Sequence, residues 1–131
     1  MKVVLDASAA VGVALGGDRS GALARLLDEA DEVLAPDLLV AEVTNVVWKY
    51  HYFEGLALDI CDQVLSRALG LVDSLVPCRE IHREAFLLAR VTRRPAYDMF
   101  YLALARREDA ALLTLDAALR KEAVRQGLRV A

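Results

Sequence analysis

Three apolar residues, Val3, Val4 and Leu5, run directly into an aspartate, Asp6. A short apolar run without Gly or Pro predicts a strand buried on both faces, the kind that lies inside a parallel sheet. Residues 7–15, rich in Ala and Val, predict a short buried helix. Gly16-Gly17-Asp18 ends it, and Asp18 or Ser20 caps the next helix. Over residues 20–30, Leu23, Leu26 and Leu27 recur with charges between them, an amphipathic pattern. Residues 32–35 predict a short strand stopped by Pro36, with Asp37 as the following N-cap. The helix predicted over 38–52 sets Leu38, Leu39, Glu42, Val43, Val46 and Val47 on one face at i, i+3, i+4 spacing. Trp48, Tyr50, Tyr52 and Phe53 crowd its far end, and Gly55 permits a break.

The second half alternates in the same way. The pattern predicts a helix over 56–69, a strand over 71–76 closed by Pro77, and a helix over 79–93 with Ile81, Ala85, Leu88 and Ala89 inward. After the break at Pro95 come a helix from Asp98 to Arg107, an apolar strand over 110–115, and a helix over 117–126 with Gly127 as its C′ residue. Residues 128–130 suit a last edge strand. Strands alternating with helices predict an α/β fold around a parallel sheet, with crossovers on both faces.

Composition narrows the class. A chain of 131 residues with 56% apolar content forms one domain, residues 1–131, with a substantial core. A net charge of −3 argues against strong non-specific binding to nucleic acid. The two cysteines, Cys61 and Cys78, form no ligand-like pair and predict free thiols in a reducing compartment. Lys2 and the apolar stretch behind it imitate a signal peptide, but Asp6 interrupts it. The uncharged run 7–17 is too short to span a bilayer, so the expectation is a cytoplasmic protein with no membrane partner.

Four acids stand out by position. Asp6 and Asp116 each follow a buried strand, Asp98 opens a helix, and Glu42 lies inside the apolar stripe of its own helix. The three aspartates are all eligible as helix N-caps. Glu42 is not, and no Lys or Arg lies three or four residues from it, so its compensation must come from elsewhere in the fold. Acids at the ends of parallel strands meet at one crevice edge. Like charges there, at ~4 Å and an effective dielectric of ~20, repel by about 4 kcal/mol a pair. Such a cluster is either protonated or filled by hard cations such as Mg²⁺ or Mn²⁺. Neither His51 nor His82 falls at a strand end, which argues against zinc. Divalent ions held by carboxylates activate water and neutralise charge on phosphate, which points to phosphodiester hydrolysis.

Four segments carry a resemblance: Val3-Val4-Leu5-Asp6-Ala7-Ser8-Ala9, Pro36-Asp37-Leu38-Leu39-Val40-Ala41-Glu42-Val43-Thr44-Asn45, Ala96-Tyr97-Asp98-Met99-Phe100-Tyr101-Leu102-Ala103-Leu104-Ala105, and Leu112-Leu113-Thr114-Leu115-Asp116. In this order and spacing the chain resembles the PIN-domain family, in particular the small toxin ribonucleases of toxin–antitoxin pairs (the VapC type). The resemblance implies a three-layer α/β/α fold with a five-stranded parallel sheet and an Mg²⁺- or Mn²⁺-dependent endoribonuclease site. It implies that Asp6, Glu42, Asp98 and Asp116 form the catalytic, metal-holding cluster, with Ser8, Asn45 and Thr114 as polar support. Ser8 stands where many relatives carry Asn, and Met99 where Ala is frequent. The resemblance further implies an RNA substrate, a homodimer and a cognate antitoxin. The aromatic cluster at residues 48–53 is a candidate groove or dimer surface, with ordinary packing as the alternative. Arg93-Arg94 is a candidate phosphate contact or a solvated basic pair. Two other readings compete: a PIN-like module that binds RNA or a partner without cutting, and a haloacid-dehalogenase-type phosphatase. The latter needs a second Asp where Ser8 stands.

Overall fold

The computed structural model describes residues 1–17 and 20–131 and contains one sheet of four parallel strands. These are β1 (Lys2–Leu5), β2 (Glu32–Pro36), β3 (Ser74–Val76) and β4 (Ala111–Leu113), in the order β3-β2-β1-β4. Val3 pairs with Val33 on one side and with Ala111 on the other, and Leu34 pairs with Ser74. Val3, Val4 and Leu5 are wholly buried, as expected of an interior strand with helices over both faces.

Among the described residues seven α-helices cover the sheet: α1 (Ala7–Leu15), α2 (Ser20–Glu29), α3 (Leu38–Glu54), α4 (Leu58–Gly70), α5 (His82–Thr92), α6 (Ala96–Arg107) and α7 (Ala117–Arg125). Helices α1, α3 and α4 pack against one another in one layer, while α6 crosses β1, β2 and β4 with α5 against it. Met99 and the run Tyr101 to Ala105 are all buried, so α6 is a central helix rather than a half-exposed one. Gly12 lets α1 lie close to the segment after β4, since a Cβ there would stand 2.5 Å from Leu115 Cδ1.

The expected fifth strand is reduced to a single bridge between Leu112 and Val130. Leu112 N–H donates to Arg129 O at 2.8 Å, and Ala131 N–H donates to Leu112 O at 3.2 Å. With β4 three residues long and alternate residues bonding to opposite sides, only Leu112 faces outward. The strand expected over 71–76 begins at Ser74, because Leu71 and Val72 belong to the turn leaving α4. Asp73 secures that turn, accepting the Val33 N–H on its side chain at 2.8 Å. The strand stops at Pro36 as expected, with Pro36 itself its last residue, opposite Val76. Asp37 has helical dihedrals and makes no capping bond; its side chain instead accepts the Cys78 N–H at 3.0 Å, tying the start of α3 to the end of β3. Of the two caps expected for α2, Asp18 lies outside the described residues, and Ser20 is the first helical residue. Cys61 is buried and Cys78 half-buried, both as free thiols. Among the described residues no helix is long and apolar enough to cross a membrane.

The strand order fixes where a ligand can sit. The chain moves from β1 outward to β2 and β3, then returns to place β4 on the other side of β1. Connections leave β1 and β4 in opposite directions, so a crevice opens between their carboxyl ends.

Candidate functional site

Asp6 stands at that crevice. Its backbone N–H continues the β1–β4 ladder by donating to Leu113 O at 3.1 Å, and its side chain caps α1 by accepting the Ala9 N–H at 3.0 Å. The Ser8 hydroxyl donates to the same carboxylate at 2.7 Å, and Thr114 Oγ1 donates to its other oxygen. Ser8 Oγ also accepts the Leu115 N–H at 2.9 Å, and Thr114 Oγ1 accepts the Asp116 N–H at 3.0 Å. The two hydroxyls thus lock the carboxyl ends of β1 and β4 together around one buried carboxylate. Burial is the largest influence on Asp6 and raises its pKa from 3.8 to about 6, with the Asp116 charge adding and the Thr114, Ala9 and Ser8 hydrogen bonds opposing.

Asp116 follows β4 as Asp6 follows β1. It caps α7, accepting the Ala118 and Leu119 N–H groups at 2.9 and 3.1 Å, and is exposed at the crevice mouth. The N-termini of α1 and α7 therefore both face the site, and each presents partial positive charge to these acids. Asp98 is the third residue of α6, not its first, and makes no capping bond, so its side chain is free of that role. Burial raises its pKa, the Asp116 charge raises it further, and Arg94 opposes. Glu42, on α3, is half-buried and accepts a hydrogen bond from the Tyr101 hydroxyl at 2.6 Å. Its pKa is raised by burial, against the Tyr101 bond, with the Asp98 charge adding.

All four acids line a single cavity of about 400 Å³, together with Ser8, Asn45, Lys49, Tyr97 and Tyr101. Thr114 is not among the lining residues; it lies behind Asp6 and supports it from the buried side. Among the described residues no three His, Cys, Asp or Glu side chains are gathered tightly enough to cage an ion on their own. The donor set nonetheless fits a hard divalent cation. The lining offers carboxylate, hydroxyl and amide oxygens and neither thiolate nor imidazole, and Mg²⁺ characteristically takes one or two carboxylates and keeps its remaining positions for water or phosphate.

Three lining residues escaped the reading of the sequence. Tyr101 supplies the compensation that Glu42 required, from α6 rather than from its own helix. Its place three residues after Asp98, on the same helix face, was the available signal. Burial and the neighbouring Glu42 hold its phenol well above the usual tyrosine range. Lys49, seven residues after Glu42 on α3, and Tyr97, beside Asp98, complete the wall. The aromatic residues Trp48, Tyr52 and Phe53 are exposed, so core packing does not account for them, while Tyr50 is half-buried.

Comparison with known proteins follows the same lines. The model of the PIN domain matches residues 3–124. Ribonuclease VapC3 of Pyrobaculum aerophilum is 33% identical over 118 residues, covering 88% of this chain and 90% of its own. The crystal structure of PAE2754 from Pyrobaculum aerophilum superposes with a TM-score of 0.73 at 20% identity, covering 99% of this chain and 92% of that one. Mycobacterium tuberculosis VapC20, described as a sarcin-ricin loop cleaving toxin, gives 0.66 at 16% identity, covering 92% of this chain and 94% of that one. With its sequence matched from the first strand into the last helix and its layers superposing on solved relatives, this chain belongs to the PIN-domain family.

Proposed function

We propose that the protein is an endoribonuclease dependent on Mg²⁺ or Mn²⁺, acting as the toxin of a toxin–antitoxin pair. One observation carries the reading: four acids from separate points of the chain line one cavity at the switch between β1 and β4, and three of them have raised pKa values. A purely structural cavity gains nothing from such mutual repulsion, whereas a cation held there removes it. The kinship with Ribonuclease VapC3 supports RNA as the substrate.

On this reading Asp6, Glu42, Asp98 and Asp116 hold the metal and the reacting phosphate's surroundings. A cation bound there would supply an activated water and neutralise charge on the phosphate. Asp6 is fixed in place by Ser8, Thr114 and the Ala9 N–H, so it cannot swing away when charge in the cavity changes. Tyr101 holds Glu42 toward the cavity. Asn45, one turn beyond Glu42, offers its amide to a water or a phosphate oxygen. A cognate antitoxin and a homodimer belong to the same reading; the toxin described for the Mycobacterium relative bears on the antitoxin alone.

The test is cleavage of a labelled single-stranded RNA. Cleavage requires Mg²⁺ or Mn²⁺, stops in excess chelator, and falls to background in Asp6→Asn and Asp98→Asn. Undiminished cleavage in chelator, or in Asp6→Asn, overturns the proposal.

A further inference from the structure

Helix α3 carries a feature that the carboxylate site does not use. Trp48, Tyr52 and Phe53 at its carboxyl end are 51%, 67% and 69% exposed. Trp48 and Tyr52 stack with ring centroids 5.4 Å apart and planes at 19°, and Phe53 stands edge-on to both, at 6.1 and 4.9 Å. This is an ordered platform of flat faces held in solvent.

The platform is continuous with the candidate site. Val46 and Lys49 line the carboxylate cavity and also line a second cavity, of about 220 Å³, that is completed by Tyr50, Phe53 and Glu54. Glu42, Val46, Lys49 and Phe53 thus form one stripe of α3 leading out of the acidic crevice. Among the described residues Lys49 is the single cation lining the carboxylate cavity. Along the helix it precedes Phe53 by about 6 Å and follows Glu42 by about 10 Å, spacings on the scale of one or two nucleotides of an extended strand. Flat aromatic faces beside a cation suit an unpaired nucleic-acid strand, whose bases stack and whose phosphates seek positive charge.

We infer that the carboxyl-terminal half of α3 is a single-stranded RNA track, with Lys49 holding a backbone phosphate and Trp48, Tyr52 and Phe53 stacking bases of the strand that enters the carboxylate cavity. The inference rests on the proposed action on RNA, but it concerns binding and can be read without cleavage.

Trp48 is the only tryptophan in the chain and so reports on its own platform. The probe is a mixed-sequence, fully 2′-O-methylated RNA decamer, which binds but resists cleavage, titrated into the full chain in chelator. Trp48 emission is expected to be quenched saturably. By fluorescence polarisation of a labelled copy, Trp48→Leu, Tyr52→Leu and Phe53→Leu each weaken binding about 5- to 150-fold, the range of one lost base stack. Lys49→Gln weakens it too and lowers the slope of log affinity against log salt by about 0.7. All four positions are exposed, and melting temperature and light-scattering mass are measured in parallel. Unchanged affinity in the three aromatic variants overturns the inference. So does a change in mass without a change in affinity, which assigns the platform to a protein interface. Binding and quenching without cleavage of unmodified RNA by the metal-loaded protein keep the track and defeat the nuclease reading. Cleavage without quenching does the reverse.

Discussion

Asp6 is where fold and chemistry pull hardest against each other. Its carboxyl caps a helix and receives two hydroxyls, yet burial still raises its pKa to about 6. A carboxyl with a higher pKa folded than unfolded binds its proton more tightly in the native state. The native fold is therefore helped below about pH 4 and loses that help as pH rises from 3.8 through 6. The loss amounts to about 3 kcal/mol once the group is ionised. Asn keeps the acceptor for Ser8 and Ala9 and carries no charge. Asp6→Asn should thus raise metal-free stability by about 1–3 kcal/mol at pH 8 and by little at pH 4, as read from urea midpoints. An equal effect at both pH values would show that the ionised carboxylate is not the source of strain. Tyr101 presents the opposite case. Its hydroxyl is buried and serves Glu42 at 2.6 Å, so Tyr101→Phe should cost about 1.5–3 kcal/mol, the scale for a hydrogen bond to a charged group. A midpoint unchanged within error would show that water replaces the phenol freely.

Elements were legible where periodicity decides them and blurred where hydrogen bonding does. The buried strand β1 and the helices α1 and α3 follow from apolar runs and i, i+4 spacing; the two helices begin where the sequence predicts and β1 one residue earlier, at Lys2. The strands β3 and β4 and the vestigial C-terminal pairing are shorter than their apolar runs, because ladder length depends on what lies alongside. Asp98 stands two residues inside α6 because Pro95 occupies the cap position and the helix begins directly after it, at Ala96. The same acid, Asp, accordingly has two different jobs in this fold. Asp116 does both: it caps α7 with two backbone bonds and faces the cavity. Asn and Asp are nearly equal as caps, while Ala forfeits the bond at about 1 kcal/mol. Asp116→Asn should therefore melt near the parent and Asp116→Ala several degrees lower, with divalent binding weakened in both. Should Asn and Ala melt alike, the cap contributes nothing measurable.

At the scale of the molecule, the alternation of strands and helices foretells a parallel sheet and a crevice at its switch point, but not which distant side chains meet there. Asp6 and Asp116 could be placed from the ends of their strands. Glu42 and Asp98 arrive on α3 and α6, and only the packing of α6 across β1, β2 and β4 brings Tyr101, and Asp98 with it, to the same cavity. Four elements therefore converge on one pool of negative charge whose repulsion opposes the fold. A divalent cation bound to the native state alone stabilises it by RT ln(1 + [L]/Kd), about 2.7 kcal/mol at a hundred times Kd. For a chain of 131 residues that corresponds to a rise in melting temperature on the order of 10 °C. Mg²⁺ and Mn²⁺ should produce it, increasing with the logarithm of concentration, while Na⁺ at equal ionic strength should not. Asp98→Asn should shrink the rise, because it removes an acid from the cavity without touching a cap or the Asp6 network. A metal-induced rise that survives intact in Asp98→Asn would place the cation elsewhere. No rise at millimolar Mg²⁺ or Mn²⁺ would mean that the four acids carry their repulsion uncompensated.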